Sequence, residues 1–195
     1  MKLRPYLLGS IVAFAVVASG HSATASEILV DLAGNSVDPL AISNENAVVL
    51  VFTAVDCPIS NRYIPAINRL FKEYASKNTS FWMVYPGSYF DTKEVESHLE
   101  EYRIKAPAII DRSGYLVKKT GATVTPEVAV YPAGIGQPED GNWIYRGRID
   151  DRYTDFGKWR ANPTREDLKE VLQSLVDGQT PERRETRSIG CYIAE

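Results

Sequence analysis

Cysteine is nearly missing from this chain of 195 residues. There are two, Cys57 and Cys191. Two cysteines allow one bridge, so a disulfide framework is excluded. Histidine is as scarce, and with His21 in the apolar leader only His98 remains beyond it. A histidine-built metal site is therefore not expected. There is no surplus of basic residues either. Lys and Arg number 22 against 25 Asp and Glu, a net charge of −3, which excludes a phosphate-binding nucleic-acid surface. The stretch "ERRETR" is interrupted by Glu182 and Glu185 and reads as solvated charge. No internal repeat or low-complexity stretch is present. The longest apolar run, Leu7 to Ala18, falls short of the roughly 20 residues that cross a bilayer comfortably.

The chain opens with Lys2 and Arg4, continues with that apolar run and reaches "ATA" at 23–25. This is the pattern of a secretory signal peptide. The expected organisation is a signal peptide at 1–25, one domain at 26–177 and a tail at 178–195 that carries Cys191. Loss of Lys2 and Arg4 takes the net charge from −3 to −5 and leaves 170 residues, enough for one well-buried core. The expected location is outside the cytoplasm, in a bacterial periplasm, with no membrane span after cleavage and an oxidising environment around both thiols.

"EILVDLAG" reads as a short strand ending in a turn at Gly34–Asn35. "AVVLVFTA" is a continuous apolar, β-branched run, which predicts a central strand covered on both faces. In the segment after it, Ile64, Ile67, Phe71 and Tyr74 recur at helical spacing. "SFWMVYP" and "APAIID" predict two more strands, with an amphipathic helix between them that puts Val95, Leu99 and Tyr102 on one side. His98, on that helix, is expected at the surface. "RSGY" reads as a turn. "TPEVAVYP" and "NWIYRGRI" predict a hairpin across a Gly/Pro-rich loop. Thr164 and Asp167 predict a capping box for a last helix. Asp177 to Glu195 shows no periodicity. Strands alternating with helices, then a hairpin, predict an α/β fold with a mixed central sheet and helices on both faces.

One thiol falls at the end of the central strand, in "TAVDCPISNRYIP". Pro58 has its φ preset and lacks an N–H, so its favoured helical place is the first position. Cys57 then becomes the N-cap, with its sulfur facing the free N–H groups of Ile59 and Ser60. Those groups and the helix dipole favour a thiolate, the nucleophilic form. Ser60, one turn on, can donate to the sulfur but cannot attack a mixed disulfide. Asp56 opposes ionisation.

Cys57-Pro58-Ile59-Ser60 resembles the CxxC site of thioredoxin-fold proteins, with serine in the second place. Pro65 stands where thioredoxins carry the proline of the active-site helix, and Thr125-Pro126 is similar to their cis-proline. With "DCPISNRY" and "YRGRIDDRY", the chain most resembles secreted peroxiredoxin-like proteins, of the redoxin or AhpC/TSA type. The resemblance implies a thioredoxin-like fold with an extra N-terminal strand and a C-terminal tail. It implies Cys57, Ser60 and Cys191 as catalytic candidates and Thr125, Pro126 and Arg148 as substrate-binding candidates. It implies no cofactor and no metal. The partners implied are a protein disulfide or a peroxide, with an electron donor the sequence does not identify.

The departures are specific. Peroxiredoxins carry P-x-x-x-T-x-x-C, and here Leu50 and Ala54 stand in the proline and threonine places, with Thr53 one residue early. A one-residue shift on an extended chain turns the side chain to the other face. Copper-delivering relatives use CxxxC, and Asn61 holds that place here. Arg146, Arg148 and Asp150 are expected on one strand face, where an arginine would lie near the thiolate or in solvated charge. The loop "DRYTDFGKWRANP" brings Phe156 and Trp159, for function or for packing against the sheet. The 14 residues from Gly178 to Cys191 span up to on the order of 45 Å, so Cys191 is within reach of Cys57. Cys191 has three readings: a resolving cysteine, a structural bridge, or a thiol used between molecules. The corresponding functions are a thiol–disulfide oxidoreductase, a thiol peroxidase, or a non-enzymatic binding module stapled by a Cys57–Cys191 bridge.

Overall fold

The computed structural model describes residues 28–41, 45–133 and 141–194. The expected signal peptide at 1–25 and most of the Gly/Pro-rich loop lie outside the described residues. The elements run β1 (Leu29–Val30), β2 (Ser36–Val37), β3 (Ala47–Phe52), α1 (Pro58–Ala75), β4 (Thr79–Pro86), α2 (Thr92–Glu101), β5 (Ala108–Asp111), α3 (Tyr115–Thr120), β6 (Val124–Thr125) and β7 (Glu127–Pro132). They continue with β8 (Tyr145–Gly147), β9 (Tyr153–Asp155), β10 (Lys158–Trp159), α4 (Asp167–Val176), β11 (Arg184–Glu185) and β12 (Cys191–Tyr192).

Six strands form one sheet in the order β11-β8-β7-β3-β4-β5. β3 pairs parallel with β4 and antiparallel with β7, so the sheet is mixed. All six residues of β3 are buried, as its unbroken apolar run predicts. The alternation of a strand sends them to two cores. Val49 and Val51 pack with α1, α2 and α4. Val48, Leu50 and Phe52 pack with β1, α3 and Trp143. Helices thus cover both faces.

Four readings of the sequence are corrected. "RSGY" makes the expected turn at Arg112 and Ser113, but it leads into a helix, α3, that the sequence reading did not contain, started by Gly114 in the left-handed region at φ 70°. Thr164 does not cap α4, whose N-cap is Glu166 with no side-chain cap bond. Thr164 bonds Asp151 instead, and buried Asp167 is drawn to Arg148, Arg165 and Arg184. The box forms at α2, between Asp91 and Glu94. His98 is buried, at 2% exposed, rather than at the surface. Finally, part of the patternless tail is paired: β11 adds parallel to β8, and β12 pairs antiparallel with β6. β8 ends at Gly147, whose φ of 144° breaks the expected face. Arg148 and Asp150 lie beyond it.

Candidate functional site

β3 delivers the chain to the start of α1, where Pro58 occupies the first helical position and Cys57 is the N-cap, at φ −86° and ψ 107°. Its sulfur accepts the Ser60 N–H at 3.5 Å. This is the geometry Pro58 dictates, a sulfur in place of a capping oxygen. The Ser60 hydroxyl does not make a well-aligned bond to the sulfur, although it lies near enough to favour the charge there. Ser60 is fully buried and its Oγ has no hydrogen-bond partner among the described residues. Pro65 lies inside α1.

The loop before Cys57 is held by a chain of polar contacts that the sequence reading missed. Asn61 Nδ2 donates to Val55 O at 3.0 Å, so its Oδ1 is left to accept from His98 Nε2 at 2.9 Å. The other ring nitrogen, Nδ1, then accepts from the Tyr85 hydroxyl at 2.8 Å. Both nitrogens are satisfied by a neutral imidazole. Burial agrees, pushing the His98 pKa below its ordinary value.

Across from Cys57 lies the Thr125–Pro126 peptide bond, which is cis. The Cys57 thiol donates to Thr125 O at 3.0 Å. β12 runs along the same stretch, with Cys191 opposite Thr125 and Tyr192 opposite Val124. Ile193 N–H extends the pairing to Thr123 O at 3.0 Å. Both cysteines are free thiols, and Cys57 is 1% exposed. Gly190 precedes Cys191 for a steric reason. A Cβ there would overlap the Thr125 carbonyl oxygen and come within 2.6 Å of its carbon and 3.1 Å of Pro126 N.

The two sulfurs titrate in opposite directions. Burial acts most strongly on Cys57, and upward. It is outweighed by the Cys191 thiol, the Ser60 N–H, and the side chains of Thr125 and Ser60, so the Cys57 pKa falls below its ordinary value. Cys191 is pushed up to about 12 by burial, by its hydrogen bond to Cys57, by the charge of Cys57 and by Asp56. The pair thus makes Cys57 the more acidic thiol and Cys191 the less acidic one.

Arg148 is not among the groups bonded to the thiol. Its Nε lies 2.8 Å from Asp167 Oδ2, and Arg146 pairs with Glu127 and Glu185. Arg62 reaches the Tyr153 hydroxyl and stacks on Trp159 at 4.6 Å. Phe156 and Trp159 are more than half exposed, so they do not pack into the core. Thr53 is fully buried, and its Oγ1 has no hydrogen-bond partner among the described residues. No cluster of three metal-ligating side chains occurs among the described residues, and none of their helices is long and apolar enough to cross a membrane.

The fold is similar to several solved structures. An uncharacterized conserved protein from Geobacillus kaustophilus superposes with a TM-score of 0.73 at 22% identity, over 86% of this chain and 87% of that one. A hypothetical protein from Sinorhizobium meliloti 1021 gives 0.71 at 22% identity, over 86% and 89%. A secreted Mycobacterium tuberculosis disulfide oxidoreductase homologous to E. coli DsbE gives 0.51 at 17% identity, over 78% and 95%. At these identities the likeness speaks to the fold, which is thioredoxin-like. No curated protein matches the chain. The model of the AhpC/TSA family matches residues 20–139. That match spans more than half of the sequence and includes Cys57, Ser60, Thr125 and Pro126, and the chain belongs to the AhpC/TSA family.

Proposed function

We propose that this chain is an extracytoplasmic thiol–disulfide oxidoreductase with Cys57 as the attacking thiol and Cys191 as the resolving one. The observation that carries this is that two free thiols meet at Thr125: Cys57 donates to its carbonyl oxygen at 3.0 Å, and Cys191 stands opposite it in the β6–β12 pairing. The Cys57 thiolate attacks one sulfur of a substrate disulfide. A Cys57–substrate disulfide forms, the substrate S–S bond breaks, and the leaving thiolate takes up a proton. Cys57 no longer carries charge, so two of the effects that raise the Cys191 pKa disappear. Cys191 loses its proton, attacks Cys57 Sγ and expels the second substrate thiol. The substrate gains two electrons and two protons, the chain keeps a Cys57–Cys191 disulfide, and an external dithiol restores it.

Ser60 supports the thiolate through its N–H. Thr125 and Pro126 form the wall against which the substrate lies, while Arg148, committed to Asp167, has a structural role in this reading. Disulfide chemistry is favoured over peroxide chemistry because Ala54 stands where a threonine hydroxyl would orient peroxide. An extracytoplasmic location accords with the leader at 1–25 and with the secreted oxidoreductase of the same fold.

The test is exchange with oxidised glutathione followed by mass spectrometry. The reduced chain is expected to release two glutathione thiols and end with a Cys57–Cys191 bridge that mild reductant reopens. Cys191→Ser is expected to stop at a Cys57–glutathione adduct. Absence of that adduct, or a bridge that resists mild reductant, would overturn the reading and leave a structural staple.

A further inference from the structure

A nucleophile must meet its substrate, yet Cys57 is 1% exposed. What lies over it is the chain's own end. Gly190 rests on Thr125, Cys191 stands opposite Thr125, and Tyr192 and Ile193 continue along Val124 and Thr123. The segment is extended and hydrogen-bonded to a strand edge, with a cysteine at the register of the attacking thiol. Its hold is slight. β12 has two residues, and a pairing that short is marginal alone. Among the described residues, backbone bonds tie Thr186 N–H to Arg146 O and then resume only with the β12 pairing. Beside it runs a groove of about 470 Å³ lined in part by Val124, Glu127, Phe156 and Tyr192, the last two largely exposed.

We propose that Gly190–Ile193 is a tethered stand-in for the substrate: it occupies the Thr123–Thr125 edge and must leave before a protein disulfide can dock there. The substrate class follows from the stand-in. It is an extended polypeptide segment that presents a cysteine sulfur opposite Thr125, and the residue before that cysteine is glycine, because a Cβ there collides with backbone. One edge serving two occupants also orders the reaction. An incoming segment displaces the strap and, with it, Cys191. When the strap re-docks, it returns Cys191 to Cys57 and removes the substrate from the edge.

This rests on Cys57 being the attacking thiol, so the experiment reads the two separately. The background is full-length Cys191→Ser, which cannot resolve. To it is added Gly190→Val, or a stop after Ile189. Iodoacetamide reports whether Cys57 attacks at all. A blocked Gly-Cys-Tyr-Ile peptide, with its cysteine held as a thionitrobenzoate disulfide, reports access to the edge. Peptide capture at Cys57 is expected to rise at least about tenfold in both variants, the factor by which a site open a tenth of the time is slowed. Equal capture in all three proteins, with Cys57 still alkylated, would overturn the strap and leave the attacking thiol standing. No alkylation of Cys57 in any of them would overturn both. Hydrogen exchange on the unaltered reduced chain supplies a check that needs no substitution. The Ile193 amide is expected to exchange at least about a hundredfold faster than those of β3, as locally opening segments do. Equal protection would refute the strap.

Discussion

Asp151→Asn is expected to destabilise the fold by about 2 kcal/mol at neutral pH. The carboxylate is 6% exposed and heavily bonded. Its Oδ1 accepts from Thr164 N–H at 2.7 Å and Arg165 N–H at 3.0 Å, and its Oδ2 from Arg160 at 2.8 Å and the Thr164 hydroxyl. Burial alone would raise its pKa. The Thr164 hydroxyl, the two N–H groups and the Arg160 charge outweigh it and hold the value at about 2, against an ordinary 3.8. A carboxylate whose folded pKa is depressed stabilises the native state fully above its unfolded value and loses that contribution as pH falls through the folded one. Moving from 3.8 to about 2 corresponds to about 2.5 kcal/mol at pH 7, about half of that at pH 3 and little by pH 2. Asparagine keeps one acceptor for the N–H groups, which brings the expected loss to about 2 kcal/mol. Urea unfolding of both proteins at pH 7 and pH 3 measures it. A difference below about 0.5 kcal/mol at pH 7, or one that does not shrink by pH 3, would refute the account of Asp151 as a charged clasp. The clasp closes the Asp151–Arg165 loop, whose Phe156 lines the groove beside β12.

Alkylation by iodoacetamide against pH is expected to show Cys57 reacting with a midpoint below that of an ordinary thiol and Cys191 with one above it, and the reverse order would remove the N-cap argument. The His98 imidazole, followed by NMR, is expected to titrate below its ordinary value of 6.5. Its contribution to stability is then complete above pH 6.5 and is lost as pH falls through the depressed value, whereas a midpoint at or above that ordinary value would contradict its burial between Tyr85 and Asn61. Leu50→Ala, at a fully buried position of β3, is expected to cost about 3–5 kcal/mol in urea unfolding, and a loss under about 1 kcal/mol would mean that the second core collapses around the cavity.

The central strand and the thiol's placement were legible for the same reason: each depends on residues next to one another in the chain. An unbroken apolar run declares β3, and a proline after a cysteine declares a helix start. What escaped depends on distant partners or on very short pieces. α3 has six residues and buries only Leu116 and Thr120, too little for a helical period to register. Thr164 looked like a cap until Asp151 claimed it, and Asp167 looked like part of a box until three arginines converged on it. His98 sits three residues after buried Val95, so its helical phase pointed inward, and its polarity argued the other way until Tyr85 and Asn61 satisfied both nitrogens. Gly190 left one trace, a glycine directly before a cysteine, but the carbonyl that demands it belongs to Thr125. Arg148, which the sequence left either near the thiolate or in solvated charge, follows the end of β8 at Gly147 and pairs with Asp167.

The sheet borders also bear on what happens when the last residues move. A strand with an open flank exposes unpaired N–H and C=O groups and invites another molecule to add to it. Here β11 covers β8 on one border, and on the other the bridge between Asp31 and Ile109 protects β5. β11 is fastened well beyond its two residues. Arg184 pairs with Asp167 and Glu170, and Gly147 is packed so tightly on Thr186 that no side chain would fit between them. The segment after Thr186 can therefore swing away and open the Thr123–Thr125 edge while the borders of the six-stranded sheet stay sealed.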